Sequence, residues 1–331
     1  MGGRATPEPR TDRLPLGSWP TPLESAPRLG AELGFAPGVL SLKRDDLTGL
    51  GGGGNKVRKL EYLCAAAVAR GATMLVTSGR IQSNHARLTA SAASRLGLEC
   101  VLVLAGEPPP KLSGNLTLES ILGARIVWAG PANDAQLEAT VQDVASDAAA
   151  SGAVVDVIPL GGSSALGARG YMECGRELEA QVPGLRLVVV ALGTGGTMAG
   201  LVAALGADRV LGVDVGATAD APARVARLVC ELGGGPADAG SLRIRSDQVG
   251  EGYGVLTPAA SRAMSAAARL EGVFLDPVYT AKAMSGLAAA VADGSISPGD
   301  PTVFVHTGGL PGLFGHPALT DPEALRLLAQ S

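Results

Sequence analysis

The sequence predicts an α/β protein of mostly parallel strands with helices on both faces. Two observations carry the prediction: short apolar runs alternate with alanine-rich helical patterns, and each run ends in glycine or a small polar residue. Taken in order, strands are expected at 72–79 (ATMLVTSG), 98–106 (LECVLVLAG), 124–130 (ARIVWAG) and 153–162 (AVVDVIPLGG). Four more follow at 185–193 (LRLVVVALG), 208–215 (DRVLGVDV), 272–280 (GVFLDPVYT) and 301–309 (PTVFVHTGG). Between them, 56–71 (KVRKLEYLCAAAVARG), 83–97 (SNHARLTASAASRLG) and 197–206 (TMAGLVAALG) read as helices. Open sheets of this kind bind ligands at the carboxyl ends of their strands, where loops lead into helix N-termini, so the chemistry is sought at those junctions.

Composition narrows the function classes. At 331 residues and 46% hydrophobic, the chain can bury a large core and has the length for two domains. Its formal charge of −4 comes with scattered lysines and arginines rather than a basic stripe, which argues against a nucleic-acid partner. The apolar stretches fall far short of a bilayer crossing, and the opening MGGRATPEPRTDR is polar and proline-rich, unlike a secretory leader; a cytoplasmic protein without membrane attachment is expected. Cys64, Cys100, Cys174 and Cys230 lie far apart without a CxxC pair, so they are expected as small core residues, and three histidines make no metal centre.

Three junctions carry chemistry. In LRLVVVALGTGGTMAG (185–200) a strand runs through Gly193, Thr194, Gly195, Gly196 and Thr197 into a helix. Such a turn aims backbone N–H groups inward at the helix's positive end and suits a phosphate, with two hydroxyls as further donors. Close packing also asks for glycine in such turns, and the spacing matches neither GxGxxG nor a P-loop. In TSGRIQSNHAR (77–87), Gln82, Ser83, Asn84 and His85 stand in a row at a helix start. One of them would cap the helix in any case; four exceed what a cap requires and can hold a carboxylate and a flat polar ring. In GGGGNKVRKLEYL (51–63), Lys56 follows a glycine loop at a helix N-terminus, whose positive end should depress its pKa and suit it to Schiff-base chemistry. A phosphate cup, a Schiff-base lysine and an asparagine for a ring hydroxyl together describe a site for pyridoxal 5′-phosphate (PLP).

The stretches GGNKVRKLEYL, GRIQSNHAR, GGSSALGARGY, ALGTGGTMAGL, LDPVYTAKA and VHTGGLPGLFG, in this order, resemble the D-cysteine desulfhydrase and 1-aminocyclopropane-1-carboxylate deaminase family, a branch of the tryptophan-synthase-β-like, fold type II PLP enzymes. The resemblance implies two open, twisted, mostly parallel sheets flanked by helices: a large domain of residues 1–55 and 161–331, and a smaller inserted α/β domain of 56–160, with PLP between them in a homodimer. It implies that Lys56 carries the cofactor and takes the α-proton, that Asn84 bonds the cofactor's 3′-oxygen, and that Gly193, Thr194, Gly195, Gly196 and Thr197 hold its phosphate. Ser83 would take the substrate carboxylate with His85 nearby, Tyr253 and Tyr279 would stand near the substrate side chain, and Thr280 would partner the pyridine nitrogen. Lys59, one turn after Lys56, is given a supporting role as a nearby cation, with a surface ion pair as its and Arg58's alternative.

The implied reaction is β-elimination, with D-cysteine giving pyruvate, ammonia and hydrogen sulfide. Deaminases of the family carry glutamate and leucine where this chain has Thr280 and Thr307, hydroxyls that favour elimination over ring opening of aminocyclopropane carboxylate. Arg80, Leu88 and Ser164 depart from the family pattern. Arg80 is either a surface cation paired with an acid or, facing the pocket, a partner for an anionic substituent such as the sulfonate of cysteate. From a different class, a nucleotide-binding module would need GxGxxG with a ribose-binding acid, which the sequence lacks; a PLP-binding protein without turnover stays open.

Overall fold

A computed structural model describes residues 12–235 and 238–320; the polar stretch 1–11, on which the leader expectation mainly rests, lies outside the described residues. Its strands are β1 (Leu23–Ser25), β2 (Leu40–Lys43), β3 (Met74–Arg80), β4 (Glu99–Ala105), β5 (Arg125–Trp128), β6 (Val155–Ile158), β7 (Leu187–Leu192), β8 (Val210–Asp214), β9 (Arg243–Arg245) and β10 (Thr302–Val305). They form a six-stranded sheet of order β1-β2-β10-β7-β8-β9 and a four-stranded sheet of order β5-β4-β3-β6. Every pairing within the sheets is parallel except β1 with β2. The strands of the smaller sheet all fall between Met74 and Ile158.

Burial on both faces explains the unbroken apolar runs. In β7, Leu187, Val189 and Ala191 join a core with Met264, Met284 and Leu287 from the helices Pro258–Glu271 and Thr280–Ala292. Val188, Val190 and Leu192 point the other way, into a core with Tyr171, Leu178 and Leu201. The smaller sheet repeats the pattern, with Leu75 and Val76 of β3 in separate clusters on opposite faces. Each such side chain contributes about 1.5–3 kcal/mol on burial.

The expected strand at 272–280 is not one. Gly272 ends the preceding helix in the left-handed region (φ 66°), and the Asp276 carboxylate then accepts from the amides of Val278, Tyr279 and Thr280 at 2.8–3.0 Å. Those bonds cap the next helix and leave no edge for pairing; Val273 and Leu275 are apolar because they enter the core as a loop. Strands β1, β2 and β9 were not anticipated. Each is only three or four residues long, and Lys43 of β2 breaks the apolar pattern although it is buried, bonded to Thr21 O and Gln181 and paired with Glu177 at 2.9 Å.

Two further expectations need correction. Arg58 is not on the surface: it lies in the interior with Asp45 at 2.8 Å and Glu177 at 2.8 Å, its guanidinium 4.2 Å from the Trp19 ring centre. Removing one partner of such a pair costs about 3–5 kcal/mol, because the other charge stays buried. Glu61, an acid three residues on, is itself buried and accepts from Trp19 Nε1 and the amides of Leu16 and Gly17. Of the cysteines, Cys64 and Cys174 are buried, Cys100 is half-buried and Cys230 is exposed, so the core assignment fails for Cys230.

Candidate active site

A cavity opens beyond the carboxyl ends of β3 and β7, between the two sheets. Lys56, Arg80, Ser83, Asn84 and His85 line one side; Gly193, Thr194, Gly195, Thr197, Tyr253, Tyr279 and Thr307 line the other. All three junctions therefore meet in one place. Gly196 sits just behind the wall, and Thr280 is not among the lining residues.

The glycine loop is shaped by close approach. Gly53 has φ 75°, and a Cβ there would fall 1.8 Å from the Asp46 carbonyl oxygen, so only glycine lets the loop pass. The Gly54 amide donates to Thr48 Oγ1 at 2.9 Å and the Asn55 amide to Thr307 O at 3.0 Å, which fixes the start of the helix Lys56–Ala69. Asn55, which sequence reasoning passed over, donates from Nδ2 to Thr197 Oγ1 at 3.0 Å and ties this loop to the glycine-threonine turn. Its signal was its place next to Lys56.

Burial lowers the Lys56 amine to about 8, the direction expected from sequence. Lys59 is not a surface cation. It is fully buried, held well below the usual lysine range by burial and by Lys56, and donates to Gly161 O at 3.1 Å and Ser163 Oγ at 3.2 Å. Its Nζ would stand 3.0 Å from a Cβ on Gly196, and Ser163 Oγ only 2.8 Å from it. Ser163 also bonds Thr194 Oγ1 at 2.7 Å and accepts from the Gly196 amide at 3.3 Å. The buried amine of Lys59 and the half-buried Lys56, neither in a salt bridge among the described residues, thus flank a cradle that a side chain at Gly196 would fill. This donor set fits the phosphate and aldehyde of PLP.

Ser83 does both things its position allowed. It caps the helix Asn84–Leu96 by accepting from the Ala86 amide at 3.1 Å, and it lines the cavity with its hydroxyl proton still free. Its Cβ packs so closely on Gly79 that a side chain there would meet it at 2.5 Å. His85 lines the same cavity, next to Ser83 and Asn84. Thr77 Oγ1 donates to Ile158 O at 2.7 Å, so it must accept from His85 Nε2 at 2.9 Å; Nδ1 is then an acceptor, buried and without a hydrogen-bond partner among the described residues. Burial and the two lysines hold this ring well below its ordinary pKa, hence neutral and offering a carboxylate no further donor.

Across the cavity the Tyr253 and Tyr279 rings meet edge to face, centroids 6.0 Å apart. Thr280 is buried behind them: its hydroxyl donates to Asp276 Oδ1 at 2.7 Å and accepts from the Asp276 amide at 2.7 Å, so its proton is committed within the loop. Thr307 lines the cavity. Both readings of Arg80 hold in part. It lines the cavity mouth, 6.0 Å from the Tyr253 ring centre, and it pairs with Asp134 at 3.6 Å in a half-exposed contact of little energy.

Comparison with known proteins places this geometry. Residues 14–308 match the model of the pyridoxal-phosphate dependent enzyme family. The chain is 41% identical over 326 residues to the D-cysteine desulfhydrases of Salmonella choleraesuis and Salmonella schwarzengrund, covering 93% of this chain and 97% of each of theirs. Among solved structures, an ACC deaminase homologue superposes with a TM-score of 0.86 at 33% identity, over 95% of this chain and 96% of its own. Maize serine racemase, at 20% identity and a TM-score of 0.65 over 94% of this chain and 91% of its own, shares the fold. The chain belongs to the pyridoxal-phosphate dependent enzymes, with PLP as its cofactor and the two-sheet α/β fold of that family.

Proposed function

We propose that this enzyme catalyses β-elimination from a β-substituted amino acid, with D-cysteine and water giving pyruvate, ammonia and hydrogen sulfide. The observation that carries the reading is the convergence of Lys56, the Ser83–Asn84 helix start and the 193–197 turn on one cavity, in a chain 41% identical to proteins named D-cysteine desulfhydrase. When bound, PLP supplies an aldehyde for the substrate amine and a ring that accepts electron density from the α-carbon.

The chain supplies the rest. Lys56 would hold the cofactor and, with the substrate amine in its place, would take the α-proton at Nζ; an amine near 8 is matched to that task at neutral pH. Ser83 and the first amides of its helix receive the substrate carboxylate. Asn84 would donate to the cofactor's 3′-oxygen. Gly193, Thr194, Gly195, Gly196 and Thr197 would hold the phosphate, with Lys59 bracing Gly161 and Ser163 behind them. Tyr253 and Tyr279 stand at the β-substituent, where a phenol can give its proton to the departing sulfur.

Ring opening of aminocyclopropane carboxylate is the competing reaction, since a deaminase homologue shares the fold at 33% identity. Thr280 argues against it, because a hydroxyl stands where a deaminase has the carboxylate that keeps the ring nitrogen protonated, and Thr307 puts a hydroxyl where a deaminase has leucine. The test is to assay purified holoenzyme on D-cysteine, L-cysteine, cysteate and aminocyclopropane carboxylate for keto acid, ammonia and sulfide. Equal sulfide and pyruvate from D-cysteine is expected; ring opening at a comparable rate would overturn the assignment.

We also propose a division into a domain of 1–55 with 161–331 and a domain of 56–160, supported by the two separate sheets. A homodimer is proposed on the exposed Leu112, Leu310 and Phe314, and light scattering at the mass of two chains would support it. A cytoplasmic location is proposed on Cys64, Cys100 and Cys174, which form no disulfide among the described residues; among those residues no helix is long and apolar enough to cross a membrane.

A further inference from the structure

We infer that Asn115 is a positioning residue that sets which end of the Asn84 amide faces the cofactor. Asn115 is fully buried at the start of the helix Gly114–Ile121, outside the cavity wall. Its side chain accepts at Oδ1 from Arg87 Nε at 2.9 Å, and its Nδ2 donates to Gln82 O at 3.0 Å and to Asn84 Oδ1 at 2.9 Å.

The assignment of these atoms follows from the partners. Arg87 can only donate and a backbone carbonyl can only accept, so Asn115 has one allowed orientation: oxygen to Arg87, nitrogen to Gln82. That nitrogen in turn demands an acceptor on Asn84. The Asn84 oxygen is thereby committed, and its Nδ2 is left as the donor at the cavity wall. Arg87 anchors the chain at its far end. Its guanidinium is fully buried, donating to Gly53 O at 3.1 Å from both terminal nitrogens and also to Gly51 O. One network of three side chains thus joins the loop that presents Lys56 to the amide that faces the ring.

The main chain around Asn115 is held as tightly. Its amide donates to Gln82 Oε1 at 2.9 Å, and Gln82 Nε2 returns a bond to Ser113 O at 3.1 Å. Gly114, at φ 55°, admits no side chain, since a Cβ would lie 2.4 Å from Gln82 Oε1. Asn115 cannot shift to relieve a wrongly turned partner, so the constraint falls on Asn84.

The inference rests on the reading that Asn84 bonds the cofactor's 3′-oxygen, and the experiment separates the two. Apo protein of Asn84→Ala, Asn115→Asp and the double variant is titrated with PLP, and the absorbance of the bound cofactor is recorded. Asn115→Asp keeps the acceptor for Arg87 but presents oxygen to Asn84, forcing its amide to turn. Each single variant is expected to weaken PLP binding about tenfold, the scale of one lost bond to a buried group, and to shift the cofactor band in the same direction. The double variant is expected to bind no more weakly than Asn84→Ala alone. Losses that multiply in the double variant would make Asn115 merely structural and sink the inference. Unchanged binding in Asn84→Ala would instead remove the Asn84 reading on which it stands. Should the aspartate variant fold poorly, Asn115→Ala run through the same cycle, with thermal unfolding as a control, separates the same outcomes.

Discussion

The phenolic oxygens of Tyr253 and Tyr279 lie 2.5 Å apart across the cavity, joining the loop 250–254 to the N-terminus of the helix Thr280–Ala292. One hydroxyl donates to the other, which leaves a single phenolic proton for a third group. Burial raises both pKa values, so that proton is retained at neutral pH. Lys282 holds the Tyr253 loop by donating to Val249 O at 2.8 Å and Gly252 O at 2.9 Å.

A proton donor at the leaving group is worth about 10²-fold or more in rate. Tyr279→Phe is therefore expected to lower kcat on D-cysteine by about that factor with little change in KM. A β-chloro amino acid, whose chloride leaves without a proton, should be nearly spared. Equal losses on both substrates would take the tyrosines out of the protonation step.

Lys56→Ala is expected to abolish elimination and the visible band of bound cofactor. Among the described residues Lys59 is the other lysine lining the cavity, and it is engaged by Gly161 O and Ser163. Borohydride reduction followed by peptide mapping decides the matter: a stable adduct on Lys59 in the variant would contradict the assignment.

Only a neutral amine captures an aldehyde, and burial brings Lys56 to about 8. About one tenth of the amine is neutral at pH 7 and most of it above pH 8.5, so the rate at which apo protein captures PLP should rise across that window. Stopped-flow absorbance from pH 6.5 to 11 measures it. A flat profile would count against Lys56 as the capturing group, and a rise continuing to pH 10.5 would mean that burial does not lower it.

Glu119 is fully buried, neither carboxylate oxygen has a hydrogen-bond partner among the described residues, and burial raises it from 4.5 to about 8. The folded state keeps this proton over a range in which the unfolded chain has lost it. Stability is thus fullest below pH 4.5 as far as this group is concerned, falls as pH rises toward 8, and is level above. Glu119→Gln should remove that loss, on the order of a few kcal/mol, and raise Tm at pH 8 more than at pH 5. An equal change at both values would show that Glu119 does not titrate in this window.

Arg80→Ala should lower turnover of cysteate more than that of cysteine if its guanidinium meets an anionic substituent at the mouth. The Asp134 pair is half-exposed and weak enough for a substrate to displace. Equal effects on both substrates would leave Arg80 as a surface ion-pair partner of Asp134.

Sequence sufficed for features written within a dozen residues. Strand, glycine turn and helix start at 185–200 and at 72–97 are encoded by backbone preferences and side-chain period, which local composition expresses directly. The same locality misled at 272–280, where apolar residues belong to a capped loop, because a run of buried side chains looks alike whether or not its backbone is paired. Tertiary structure alone decided the fate of the charges. Arg58 meets Asp45 and Glu177 from thirteen positions before and 119 after it, and Lys59 reaches Gly161 and Ser163 from about a hundred residues away. Asn115 has no local signal at all; it matters because the fold brings it between Arg87 and Asn84, and a side-chain hydrogen bond depends on which atoms arrive within 3 Å rather than on the residues beside it in the chain.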